Sequence, residues 1–126
     1  MQQMSVMMFE TMGHLSPYQM FLLGRLDAAH SNRAFMQDVE KKVRSSSEQE
    51  TASASKGLWS EEDHAYYDGV KRTCAVAVDE ASSRRQEAEK FYTKCRHELI
   101  ESGVSQDLVQ QYVNQLGKEQ AEAKKP

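Results

Sequence analysis

SEEDHAYYDGVKRTCAVAVDEASSRRQEAEKFYTKCRHELIES, residues 60–102, decides the fold. Ser60 is a side chain that caps a helix start, Asp63 stands three residues on, and Glu61 and Glu62 favour the positive end of a helix dipole. Apolar and small residues then recur at Tyr67, Val70, Cys74, Ala77, Ala81, Ala88, Phe91 and Cys95. The steps are three and four, with one seven-step where Arg84 takes the place of an apolar residue. This is a heptad seam, the pattern of a helix packed lengthwise on another helix. It is thin, because Ala buries far less than the ~1.5–3 kcal/mol side chains of a good zipper. Gly103 is a natural cap for its end, so the spacing predicts a helix over 61–102.

Upstream, Ser16, Pro17 and Gln19 form a capping box with Pro at the first helical position, and Leu15 and Met20 occupy the staple positions. Leu22, Ala29, Met36 and Val43 follow seven apart, beside Leu23, Leu26 and Val39. Asp38–Lys42 and Glu40–Arg44 are i,i+4 pairs. The expected helix runs over 17–44, and Gly24 within it is read as a mark of close helix contact. Residues 45–56 are polar, rich in Ser and Ala and free of aromatics, which is linker composition. Downstream, Ser105 caps a short helix over 106–116 that carries Leu108, Val109, Tyr112, Val113 and Leu116, with Gly117 as its expected end. The sequence therefore describes an elongated all-α chain: a long helical hairpin plus a short C-terminal helix. Residues 1–15 form a Met-rich arm, 16–117 a single helical domain and 118–126 a charged tail.

Composition limits what such a chain does. Its 126 residues are 39% hydrophobic and 28% charged, and mean hydropathy is −0.74. That is polar for a compact domain of this length, so help from a partner is expected. A formal net charge of −3 argues against nucleic acid as the main partner. No stretch approaches the roughly 18–20 apolar residues that cross a bilayer, so membrane association is expected only through a complex. Met1–Met12 has no Lys or Arg and reads as neither secretory signal nor transit peptide. The expected location is intracellular, mitochondrial or cytoplasmic, and not secreted.

Catalytic patterns do not assemble. His14, His30, His64 and His97 are scattered, no two of them four apart, so no metal site is expected. There is no Gly-rich phosphate loop, and no cofactor is expected. Cys74 and Cys95 lie three heptads apart on one stripe, about 31 Å along a straight helix, so they do not bond to each other within it; between two chains, a parallel pair sets like thiols face to face and an antiparallel pair sets Cys74 against Cys95. They read as small thiols filling a tight helix contact. Arg84 either reaches outward or meets a partner's carboxylate.

Lys56-Gly-Leu-Trp-Ser-Glu-Glu-Asp63 resembles the opening of a Myb/SANT repeat over eight residues, which would imply a DNA-binding module. The chain departs from that pattern beyond them. Trp59 is its only tryptophan, and the helix runs on far past where such a repeat turns.

These readings point to a non-enzymatic structural or accessory subunit of a larger assembly, as found in organellar membrane complexes, acting by helix docking. A self-associating coiled-coil adaptor or chaperone-like module, with a homodimer as its form, is the alternative, and a nucleic-acid-binding regulator a lesser one. The expected protein interface comprises Met4, Met7, Met8 and Phe9 in the arm. From the first helix it takes Leu22, Leu26 and Met36. From the second it takes Tyr67, Val70, Cys74, Ala77, Ala81, Arg84, Phe91 and Cys95, and from the third Leu108 and Tyr112.

Overall fold

The computed structural model describes residues 14–123, and every regular element among them is an α-helix. Helix α1 is Pro17–Ala54, α2 is Glu61–Glu101 and α3 is Gln106–Ala123. The expected arm residues Met4, Met7, Met8 and Phe9, and the last residues of the tail, lie outside the described range.

The helix starts are built as their sequences require. The Ser16 amide donates to Gln19 Oε1 at 2.9 Å and the Gln19 amide to Ser16 Oγ at 3.1 Å, a reciprocal capping box. At α2 the Asp63 amide donates to Ser60 Oγ, and Asp63 Oδ2 accepts from the amides of Trp59 and Ser60, each at 3.1 Å. The Trp59 amide foremost, then the Ser60 hydroxyl and amide, bond the carboxylate and hold the Asp63 carboxyl below its ordinary value. At the end of α2, Gly103 adopts φ 110°, open to glycine and strained for other residues. The Val104 amide reaches back to the Leu99 carbonyl and the Gly103 amide to that of Ile100, the paired bonds of a Schellman turn.

Two helices outrun their expected ends. Helix α1 continues through the Ser/Ala segment to Ala54, ten residues past 44. Ser47, Thr51 and Ala54 are half-buried there, spaced four and three, so the inward stripe carries on in small polar residues after the apolar ones stop at Val43. Helix α3 passes through Gly117 to Ala123, past the expected 116, because Lys118–Ala123 is made of good helix formers. Gly24 sits against open space, so it marks no helix contact.

The chain forms two compact units. Among the described residues, one joins those up to Asn32 with those from Lys90 to Ala123. Here the start of α1, the end of α2 and α3 enclose a core of Leu22, Leu23, Leu26, Ala29, Tyr92, Cys95, Leu99, Val104, Val109, Tyr112 and Leu116. Leu26 and Leu99 have no exposed surface at all. Gln19 Nε2 donates to the Ser102 carbonyl at 2.9 Å, satisfying an acceptor that the end of α2 leaves open. The other unit is Arg33–Glu89, an antiparallel pair made by the end of α1 and the start of α2, with Gly57 at φ 70° in the connection. Its buried hydrophobic residues are Cys74, Ala81 and Ala88.

Candidate docking surface

The inward stripe of α2 is Cys74, Val78, Ala81, Arg85, Ala88, Tyr92, Cys95 and Leu99, buried or half-buried at alternating steps of four and three. One line of the expected seam, Cys74, Ala81, Ala88 and Cys95, lies on it. The other line is displaced by one residue. Ala77, Arg84 and Phe91 are exposed, and Val78, Arg85 and Tyr92 take the inward places. One residue is a 100° turn of the helix, so from Ala77 onward this displacement moves the heptad line from the contact to its flank, while Val70 before it stays half-buried.

The displacement also decides which arginine faces the partner helix. Arg84 points outward and pairs with Glu80 at 2.7 Å, one turn away on the same helix, both side chains being well exposed. Arg85 turns inward. Its Nε donates to Glu40 Oε1 and its Nη1 to Glu89 Oε2, each at 2.8 Å. Burial works to raise the Glu40 pKa, but the Ser82 hydrogen bond and the charge of Arg85 outweigh it, and the carboxyl is held below its ordinary value. Gln37 Nε2 adds a bond to Glu89 Oε1 at 3.2 Å.

The displaced line leaves an open flank on the 33–89 unit. Val43, Ser46, Glu50, Thr73, Cys74 and Ala77 line one part of a groove there. Ser46, Glu50, Ala54, Tyr66 and Val70 line the next, so Ser46 and Glu50 are common to both. Tyr66 is 68% exposed at one end. Phe35, one and two turns before Val39 and Val43 on α1, is 60% exposed. Single exposed apolar residues are ordinary, but here two exposed rings, Phe35 and Tyr66, stand at the ends of a groove whose middle is polar, with half-buried Val39, Val43 and Val70 beside it. A second groove is floored by Tyr67, Cys74, Ala75 and Val78, with Arg44, Glu48, Lys71 and Asp79 at its rim. Cys74 lines both grooves, and its Sγ lies 3.9 Å from Glu50 Oε2.

The structure thus sorts the expected interface residues. Leu22, Leu26, Cys95 and Tyr112 are spent in the core of the first unit, where Leu108 is half-buried against them. Cys74 and Ala81 are buried in the hairpin; Met36, Tyr67 and Val70 are half-buried; Ala77, Arg84 and Phe91 are exposed. Phe35 and Tyr66 were not among the expected residues. The signal that finds them is spacing: Phe35, Val39 and Val43 step by four, and so do Tyr66 and Val70.

Polar groups in the first unit serve packing. Arg25 bonds Glu98 at 2.9 Å and lies over the rings of Phe21 and Phe91, 6.0 and 5.5 Å from their centres. The Tyr112 hydroxyl donates to Asp27 Oδ2 at 3.5 Å. Burial, aided by the charges of Asp27 and Glu119, pushes the Tyr112 phenol far above its ordinary pKa. Burial also raises the Cys95 thiol. Among the described residues, no three His, Cys, Asp or Glu side chains gather as a metal ion would need. No helix of the described residues is long and apolar enough to cross a membrane. Set against protein-family models, curated proteins and solved structures, the chain matches none.

Proposed function

We propose that the chain is a non-catalytic structural subunit of a larger assembly, acting by helix–helix docking through its 33–89 hairpin. The observation that carries this reading is the unequal burial of the two units. Three helices around Leu26 and Leu99 leave the first with a closed core. Two helices packed through Cys74, Ala81 and Ala88 leave the second with little apolar burial and an open groove between the exposed rings of Phe35 and Tyr66. A two-helix element is marginal in water without a further layer, because most helical stability comes from burying an amphipathic face. A docked helix supplies that layer, and the subunit works as the surface on which it docks.

Hydrogen exchange on the purified chain tests this, at a concentration where sedimentation shows a monomer. Amides of 33–89 should exchange well ahead of those around Leu26, Leu99 and Val109. Equal protection in both units would show that the hairpin needs no cover, and the reading would fall.

A further inference from the structure

We propose that the open flank of the 33–89 hairpin takes a second copy of this chain, the two α1 helices crossing antiparallel about a two-fold axis at Ser46. This rests on the docking reading above and names its partner. Three features of the flank are arranged evenly about Ser46, as a face that meets itself requires.

The first is charge. Lys42 and Glu50 stand four residues to either side of Ser46, both on the groove. Two-fold symmetry at Ser46 brings Lys42 of each copy to Glu50 of the other, making two opposite-charge pairs from one sequence. Lys42 reaches Asp38 at 3.0 Å on its own helix with a side chain 76% exposed, so it is free to swing toward a neighbour.

The second is the exposed aromatics. Phe35 lies eleven residues before Ser46. The contacts Glu40–Arg85 and Glu50–Cys74 fix how α2 runs beside α1. Tyr66 lies eight residues before Cys74, hence about eight residue-rises beyond Glu50 and about twelve beyond Ser46. The same axis therefore sets the Tyr66 of each copy level with the Phe35 of the other, and each covers a ring that the single chain leaves in water.

The third is size and shape. From Phe35 to the level of Tyr66 the face is about 35 Å long and two helices, roughly 20 Å, wide. That is on the order of the ~800 Å² per partner of a stable interface. Ser46, at the crossing, is small enough for the helices to approach closely. The product is a four-helix layer pair in which each hairpin provides the other's missing face.

Sedimentation equilibrium of the full chain, over a concentration series, tests this. The wild type should dimerise. K42E and E50K should each weaken association by about tenfold or more, since each turns two attractive pairs into repulsive ones. The K42E/E50K double variant should recover it, which a merely misfolded single variant would not. S46C should give a disulfide-linked dimer under mild oxidation, while E48C, at the other groove, and the wild type should not. Circular dichroism checks that each variant keeps its helices. A wild type that stays monomeric, or a double variant no better than the singles, overturns the proposal. A monomer whose hairpin still exchanges fast overturns the copy alone and leaves the docking reading standing. A monomer protected throughout overturns both.

Discussion

Arg85 donates from Nε to Glu40 Oε1 at 2.8 Å, from one helix of the 33–89 hairpin to the other, with only 25% and 13% of the two side chains exposed. Its neighbour Arg84 makes an equally short bond to Glu80, at 2.7 Å, but within its own helix and in water. The two arginines differ by one position in sequence and by a solvent environment in effect. R85A removes the cation that reaches Glu40 from the other helix and leaves it only Arg44 of its own helix, at 3.5 Å, so it should lower hairpin stability clearly more than R84A does. R84A should cost under about 0.5 kcal/mol. Urea unfolding of both variants checks this, and equal losses would mean that the inward bond adds nothing beyond an exposed pair.

Acid should loosen the hairpin. The Glu40 and Asp63 carboxyls are both held below their ordinary values in the folded chain. Folded, they bind protons less readily than unfolded, so the stability they contribute is complete at neutral pH. It is lost as pH falls below about 4, through their lowered values. Helicity followed by circular dichroism from pH 7 to pH 2 should fall, and E40Q should flatten the drop. An unchanged acid profile in E40Q would remove Glu40 from the account.

Two glycines should respond to the same substitution with opposite signs. A Cβ on Gly24 meets nothing within 4 Å, and the backbone there is already helical. G24A should therefore stabilise by about 0.5–1 kcal/mol. Gly103 holds φ 110° at the turn that leads Val104 into the core. G103A should destabilise by more than about 1 kcal/mol. Thermal melts of the pair read both signs in one experiment.

The two thiols should separate chemically. Cys74 lines two surface grooves. Cys95 is 2% exposed in the first unit's core, where burial raises its pKa. Iodoacetamide on the native chain, read by mass spectrometry, should label Cys74 well before Cys95, because the thiolate must both form and be reached. Equal rates would mean that the core around Leu99 opens as readily as the hairpin.

Much of this architecture is written locally and was legible there. Ser16–Gln19, Ser60–Asp63 and Gly103 are punctuation that works through bonds a few residues long, and the structure uses each as its chemistry suggests. The extent of α1 was harder, because Ser47, Thr51 and Ala54 continue a stripe that a search for apolar residues does not register. The inward line of α2 was harder still. Cys74, Ala81, Ala88 and Cys95 fix half the seam, but spacing allows the other half to lie three or four residues on. Side-chain mass would favour Phe91 and Tyr92 almost equally. The choice is made by what α1 offers opposite, and Glu40 opposite Arg85 is information that no single helix contains. The flank from Phe35 to Tyr66 follows from that choice, so it could not be located before it.

The small residues of the hairpin have a consequence for alignment. Bulky side chains lock two helices as the teeth of a gear do, each tooth admitting one gap. Ala81 and Ala88 are alike and seven apart, and Val43 and Met36, at their levels on α1, repeat at the same interval. By packing alone, sliding one helix along the other by a heptad would exchange one shallow fit for another of similar worth. Glu40 and Arg85 have no such duplicates one heptad away on their stripes, where Ser47 and Val78 stand. A single ion pair therefore acts as the index mark on an otherwise featureless scale.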